Sequence, residues 1–189
     1  MATRETITPS TVILALVSHS PDRLLTGRTR IQKLVYFLRQ SLSIAASYTP
    51  YYYGPYSQEV TASLDSLVAS GLLEEQVEPL DTEGPFEGRV YRYKLTSDGE
   101  EVLDSLRSER KEEMRRIEKA AEKILARRST TATLAVASKL HYVVTNAPQA
   151  VPQRELSARA KRFGWHVDPR EIANGVKFLK ERGLVTTTP

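Results

Sequence analysis

Residues 57–100, SQEVTASLDSLVASGLLEEQVEPLDTEGPFEGRVYRYKLTSDGE, decide the fold. Inside this stretch the apolar repeat changes from about 3.6 residues to about 2. Val60, Leu64, Leu67 and Val68 share one face of a helix that Ser57 can cap and Gly71 can end. After Gly71, Leu73 and Val77 with polar neighbours suggest a strand. Arg89–Thr96, RVYRYKLT, alternates as its partner, and the DTEGPFEG loop between the two is polar and rich in glycine and proline.

Upstream, Pro9–Ser18 reads PSTVILALVS. Ser10 can cap it, and Val12, Ile13, Leu16 and Val17 form its stripe. SHSPDRLLTG then breaks the chain at Pro21 and Gly27. A second helix is expected over about Thr29–Ile44, with Ile31, Leu34, Val35, Leu38 and Leu42 inward and Arg28, Arg30, Lys33 and Arg39 on or beside the polar side. Tyr48–Ser57, YTPYYYGPYS, reads as an extended segment ending in a turn. Three helices followed by a two-stranded ribbon is the winged-helix order.

Downstream, Ser97 opens a long helix, with SDGE as a capping box and Leu103, Leu106, Met114, Ile117, Ala121 and Ile124 on one side. Unbroken to Ala126 it would measure roughly 45 Å, which suits a connector between lobes or a homodimer seam. Its register departs from strict heptads at Arg110 and Met114. ARRST at 126–130 is the expected joint. Helices over Thr131–Asn146, Pro152–Phe163 and Pro169–Arg182 follow, with Gly183 ending the last. ASLDSLVASGLLEE at 62–75 and NGVKFLKERGLVTT at 174–187 end alike, an internal echo. The expected fold class is α+β, mostly α. It comprises a winged-helix domain over 1–96, a long connecting helix over 97–126, and a basic helix-turn-helix-like lobe over 127–189.

The chain has 189 residues, 40% of them apolar, so it can bury a core. No apolar run approaches the length of a membrane span, and Met1–Ser10 lacks the pattern of a signal peptide. Zero cysteines exclude disulfides and thiolate chemistry, which fits a cytoplasmic protein. Residues 1–106 hold nine Lys/Arg against fourteen Asp/Glu, whereas residues 107–189 hold eighteen against nine. That asymmetry suggests different partners for the two halves, with a polyanion such as nucleic acid for the basic one.

Catalysis has no foothold in the sequence. There is no G-x-S-x-G elbow, H-E-x-x-H, Walker A or G-x-G-x-x-G motif. Only His19, His141 and His166 are available for metal or base chemistry. His166-Val167-Asp168 lacks a third ligand, and Asp168 reads better as the cap of a helix with Pro169 at its first position. No catalytic residue, metal or cofactor is expected.

DNA contact is expected from the second lobe. There Arg127, Arg128, Lys139, Arg154, Arg159, Lys161, Arg162, Arg170, Lys177, Lys180 and Arg182 outnumber Glu155, Asp168, Glu171 and Glu181. Arg170, Asn174 and Lys177 fall at i, i+4 and i+7, a face able to meet guanine, adenine and phosphate. Arg127, Arg128, Arg159, Lys161 and Arg162 would hold phosphates, while Ile172, Val176, Leu179 and Phe178 take the core side and Trp165 sits under the helix start. In the first lobe the third helix offers Ser57, Gln58, Thr61 and Ser63 but no base, and residues 57–83 hold seven acids. Contact there would fall to Arg28, Arg30 and Lys33, or to Arg89 and Arg92 on the ribbon. Tyr51, Tyr52, Tyr53 and Tyr56, with Gln58 and Glu59, form the expected protein-contact site. Such clustered tyrosines cover a core edge or meet a protein more often than they stack on bases.

GRTRIQKLVYFLRQ, YYYGPYSQEVTASLDSLVASGLLEE and YRYKLTSDGE carry a further signal. Residues of about 10–105 resemble the YwgA-like and Panacea (SocA-like) winged-helix family, through Ile31–Phe37 and the Tyr-Gly-Pro-Tyr of Tyr53–Tyr56. Ile31 stands where the family has leucine, and the basic lobe lies outside the match. The resemblance implies a prokaryotic protein linked to regulation, antitoxin action or proteolytic-adaptor roles, with no catalytic residues. The expected function is a non-enzymatic DNA-binding transcriptional regulator, homodimeric through 97–126. The alternative is a protein-interaction module of antitoxin or adaptor type that uses the acidic third helix and the tyrosines.

Overall fold

The computed structural model describes residues 6–80, 88–126 and 129–185. The chain divides into two compact units. The first comprises Met1–Ser47 with Gln58–Arg128, and the second comprises Tyr48–Ser57 with Ser129–Pro189. The architecture is mixed α+β and mostly helical, with one three-stranded antiparallel sheet.

The first unit is built around α1 (Pro9–Ser18). Val12 through Val17 are all at most 2% exposed, so this helix is apolar on every side and forms the centre of the core. Its cap is Thr8, whose Oγ1 accepts from the Thr11 amide, rather than Ser10; Pro9 then occupies the first helical position. A tight turn at Pro21–Arg23, with Asp22 and Arg23 at φ of 56° and 54°, leads into β1 (Leu24–Thr26). The sequence gives no sign of β1, because three residues are too few to show alternation. α2 (Arg28–Leu38) stops six residues short of the expected Ile44. Ser41 turns its hydroxyl back to the Leu38 carbonyl at 3.3 Å, and Ile44 instead bridges Ile7.

α3 (Gln58–Ala69) ends as expected on Gly71. The Leu72 amide donates to Leu67 and the Gly71 amide to Val68, the paired bonds of a Schellman cap. β2 (Leu73–Leu80) and β3 (Gly88–Leu95) pair from Leu73–Leu95 to Leu80–Gly88, and β1 lies on the other side of β3. The sheet therefore has the order β1–β3–β2, a third strand beyond the expected ribbon.

The expected long helix is two helices, α4 (Ser97–Glu109) and α5 (Lys111–Leu125), broken at Arg110 (φ −123°, ψ 47°). Leu106 and Met114 are eight residues apart, which a straight helix leaves about 80° out of line. The break lets both stripes reach α1, and Arg107 bridges it by bonding Asp104 and Glu118, each at 2.7 Å. Leu103, Met114, Ile117, Ala121 and Ile124 of the expected seam are buried inside this unit, and Leu106 is half-buried. The α4 cap is Thr96, one residue before the expected Ser97. Its Oγ1 accepts from the Gly99 amide at 3.1 Å and donates to the Gly71 carbonyl at 2.6 Å. Gly99 is required here, since a Cβ would lie 2.1 Å from the Leu72 carbonyl oxygen.

The second unit holds α6 (Thr131–Thr145), capped by Thr130, a short α7 (Leu156–Lys161) entered through a 3-10 turn at Gln153–Glu155, and α8 (Pro169–Glu181). Asp168 caps α8 as expected, with a full capping box to Glu171. α8 ends on Gly183 with the Schellman bonds seen at Gly71: Leu184 donates to Leu179 and Gly183 to Lys180. The echo between 62–75 and 174–187 thus extends to an identical helix end, although residues 186–189 lie outside the described residues. Ile172, Val176, Phe178, Leu179 and Trp165 are all buried, as their spacing predicts.

Gly99→Ala should destabilise the protein by about 2–3 kcal/mol through overpacking against backbone, and Thr96→Ala by about 1 kcal/mol through loss of the cap. Urea denaturation should show both losses, with Glu101→Ala, on the exposed side of α4, within about 0.5 kcal/mol of wild type.

Candidate nucleic-acid interface

α8 is fixed by its inner face. Gly175 lets it approach α6 closely, since a Cβ there would lie 2.8 Å from Leu140 Cδ1. Val176 and Leu179 bury the same side. The opposite side carries Arg170, Asn174 and Lys177, all exposed, and among the described residues no carboxylate pairs with the two cations. Lys161, Arg162 and Lys180 are also exposed. The helical spacing and the burial pattern thus leave Arg170, Asn174 and Lys177 on one exposed face, which Glu181, four residues past Lys177, extends with an acid.

Arg154 is exposed as well, whereas three other cations of the second unit are drawn into the fold. Arg159 is held by Glu155, with Nη2 and Nε at 2.9 and 3.1 Å from one carboxylate oxygen. Arg182 lies 3.7 Å over the Phe178 ring and donates to Ser129, a structural role. Lys139 is half-buried; burial pushes its pKa down and Glu171 opposes this. Arg127 and Arg128 lie outside the described residues.

The first unit's expected DNA contacts do not form a cationic surface. Arg28 bonds Asp65 at 2.8 Å and Glu75 at 2.7 Å, and its guanidinium lies 5.0 Å from the centre of the Tyr91 ring. The Tyr93 hydroxyl donates to the same Glu75 oxygen at 2.5 Å. Burial would raise the Glu75 pKa, but the bonds from Tyr93 and Arg28 outweigh it and hold the carboxyl below its ordinary value. Lys33 is only 2% exposed, and burial pulls the pKa of half-buried Arg30 down. Arg92 pairs with Glu78, while Arg89 is exposed. Asp65 of α3 and Glu75 and Glu78 of β2 thus take up Arg28 and Arg92, two of the five cations that the sequence offered for contact here.

The tyrosine segment is also not where the sequence placed it. Tyr48–Ser57 belongs to the second unit, and Gln58 and Glu59 begin α3 in the first. Glu59 accepts from the Ser47 amide and hydroxyl. The tyrosines do not cover a core edge: Tyr51, Tyr52 and Tyr53 are 63%, 76% and 58% exposed, and Tyr56 is half-buried. Sequence reasoning gave no role to the backbone beneath them. Trp165 donates its indole N–H to the Tyr51 carbonyl at 2.7 Å, and Gly54 fits against α6 where a Cβ would lie 3.0 Å from Ser138 Oγ.

Among the described residues no group of three or more His, Asp or Glu side chains is placed to hold a metal, and no helix is long and apolar enough to cross a membrane. His141 is 3% exposed on α6, and burial pushes its pKa down to about 4.

No family model matches the chain. A stretch of 79 residues is 35% identical to a Bacillus subtilis (strain 168) protein named Uncharacterized protein YwgA, covering 41% of this chain. The match spans 45% of that relative's length, so the kinship holds for part of each chain. It supports a YwgA-like relation in part of the chain.

Two outcomes follow from the buried groups. Arg28→Ala should cost about 1.5–3 kcal/mol at neutral pH, since it removes charged hydrogen bonds. The native Glu75 pKa is depressed, so its contribution is present above the ordinary carboxyl value of 4.5 and is lost as pH falls below it. The gap between wild type and Glu75→Gln should therefore close in acid, as read by denaturant midpoints. His141 is favoured neutral in the fold, so stability should fall as pH drops from 6.5 towards about 4. In His141→Leu the pH dependence over that interval should flatten.

Proposed function

We propose that this chain is a non-enzymatic nucleic-acid-binding regulator whose second unit makes the contact through the outer face of α8. The observation that carries the reading is the Arg170–Asn174–Lys177 face, exposed and, among the described residues, with neither cation in an ion pair, on a helix whose other side is anchored to α6; Glu181, at the end of that face, pairs with Arg182. Arginine and lysine there meet phosphate or guanine, and Asn174 has the two-point geometry that suits adenine. Lys161 and Arg162, at the end of α7, add phosphate contacts.

The first unit is read as a winged-helix domain. Its order of helix, strand, helix, helix, strand, strand, with β1 against β3, supports this. Its paired cations and acidic α3–β2 stretch favour a scaffold or sensor role over DNA contact. The alternative, a protein-contact module of antitoxin or adaptor type, is favoured by one observation, the exposure of Tyr51, Tyr52 and Tyr53.

Fluorescence anisotropy with labelled oligonucleotides at low and physiological salt tests the proposal. Each phosphate contact contributes about 0.9 to the log–log salt slope on duplex DNA. Arg170→Ala/Lys177→Ala should weaken binding and lower the slope by up to about 2. Asn174→Ala should relax base preference at one position by about 1–3 kcal/mol. Unchanged affinity and slope in the double variant would remove α8 as the site.

A further inference from the structure

Tyr51, Tyr52 and Tyr53 are three consecutive rings, 63%, 76% and 58% exposed. Their exposure does not come from a loose loop. Thr49 and Tyr56 exchange both backbone hydrogen bonds, at 2.9 and 3.0 Å, and the Gly54 amide closes the turn onto the Tyr51 carbonyl at 2.9 Å. That same carbonyl accepts from Trp165. Gly54, at φ 101°, seats the turn against Ala135, Ser138 and Lys139 of α6. The backbone is thus fixed from two sides while the rings point away from the core. Tyr52 and Tyr53 meet edge to face, 4.9 Å apart at 80°, so a flat group stacked on one ring is flanked by the other.

The surroundings select the occupant. Trp165, which holds the turn, lies on the connector between α7 and α8; Lys161, Arg162 and Arg170 on or beside that connector are all exposed, and its acid, Asp168, is engaged in capping α8. Residues 48–57 carry no acid to repel phosphate. Aromatic faces next to exposed cations match a chain of bases on a phosphate backbone, where stacking is available only to bases that are not paired.

We propose that Tyr51, Tyr52 and Tyr53 form a base-stacking platform beside the cationic α7–α8 connector, and that the second unit's ligand is nucleic acid with unpaired bases. This rests on the nucleic-acid reading above and narrows it to single-stranded or opened substrate. The tyrosines supply affinity through base faces and α8 supplies the phosphate contacts.

The test compares a single-stranded oligonucleotide carrying 2-aminopurine with an abasic strand of equal length, both titrated into the full chain. Stacking predicts a change in 2-aminopurine fluorescence on binding, and affinity about five- to a hundredfold lower for the abasic strand. Tyr52→Ala/Tyr53→Ala should bring the two affinities together, and Tyr52→Phe/Tyr53→Phe should keep them apart. Circular dichroism and melting check the fold of each variant, and the wild-type comparison of strands stands without them. Equal affinity for both strands with no fluorescence change would overturn the platform, and if Arg170→Ala/Lys177→Ala still weakened binding the broader reading would survive. Binding to duplex but not to single strands would have the same meaning. Failure of every oligonucleotide to bind at low salt would end both proposals. Displacement of the strand by polyglutamate with the same dependence on Tyr52 and Tyr53 would overturn the platform in favour of an acidic protein ligand.

Discussion

The hydrogen bond from the Trp165 indole to the Tyr51 carbonyl joins residues 114 positions apart, and the composition of the second unit depends on it. Trp165 is 2% exposed, within 5.2 Å of the Phe163 ring and 5.8 Å of the Tyr142 ring. A buried indole N–H without an acceptor would cost about 1–3 kcal/mol, so the tryptophan needs a carbonyl that its own helices do not provide. The 48–57 segment brings one. In exchange the segment is held to α6 and to the α7–α8 connector, although Ser47 before it and Gln58 after it both belong to the first unit. Exposed tyrosines and exposed cations end up on one body because of that bond.

The parts of the fold that were legible in the sequence are those decided within a few residues. Gly71 and Gly183 end their helices because the donors and acceptors of a Schellman cap lie within five positions. Asp168 caps α8 for the same reason, and the inward set Ile172, Val176, Phe178 and Leu179 follows from helical spacing alone. The parts that were not legible are decided at long range. β1 exists because Leu24–Thr26 meets Arg92–Lys94 on β3, and three residues carry no pattern of their own. Thr96, rather than Ser97, caps α4 because its hydroxyl also reaches the Gly71 carbonyl, 25 positions back. The break at Arg110 was visible only as a slip in register; that the slip becomes a corner depends on α1 lying where both stripes can reach it.

Charge shows the same division. Counting side chains gave both halves of the protein cations to spend. Arg28 spends its charge on Asp65 and Glu75, partners 37 and 47 positions away, through bonds no local pattern announces. Arg92 is met across the hairpin by Glu78. Arg159, by contrast, is paired with Glu155 at i−4, a spacing that could have been read directly. The α8 cations were legible because that helix carries acids only near its two ends, Glu171 and Glu181; Glu181, four residues past Lys177, closes the same face and pairs with Arg182.

A cation that anchors structure and a cation left exposed differ in what surrounds them. Arg28 sits among two carboxylates and two tyrosines, and moving any of them leaves a partly buried charge uncompensated, which is costly. Arg170 and Lys177 have no such obligation: the helix that carries them is held by Gly175, Val176 and Leu179 on one side and by Asp168 at its start. Replacing them should leave folding nearly untouched, since exposed charges away from caps and cores contribute little to stability. The tyrosine rings share that status, because the backbone of residues 49–56 is tied down without them. When a fold secures its elements by apolar faces, caps and main-chain bonds alone, the large side chains it leaves outside carry no structural duty. In this protein those side chains are aromatic and cationic on the same unit, the combination that a polyanion with exposed bases requires.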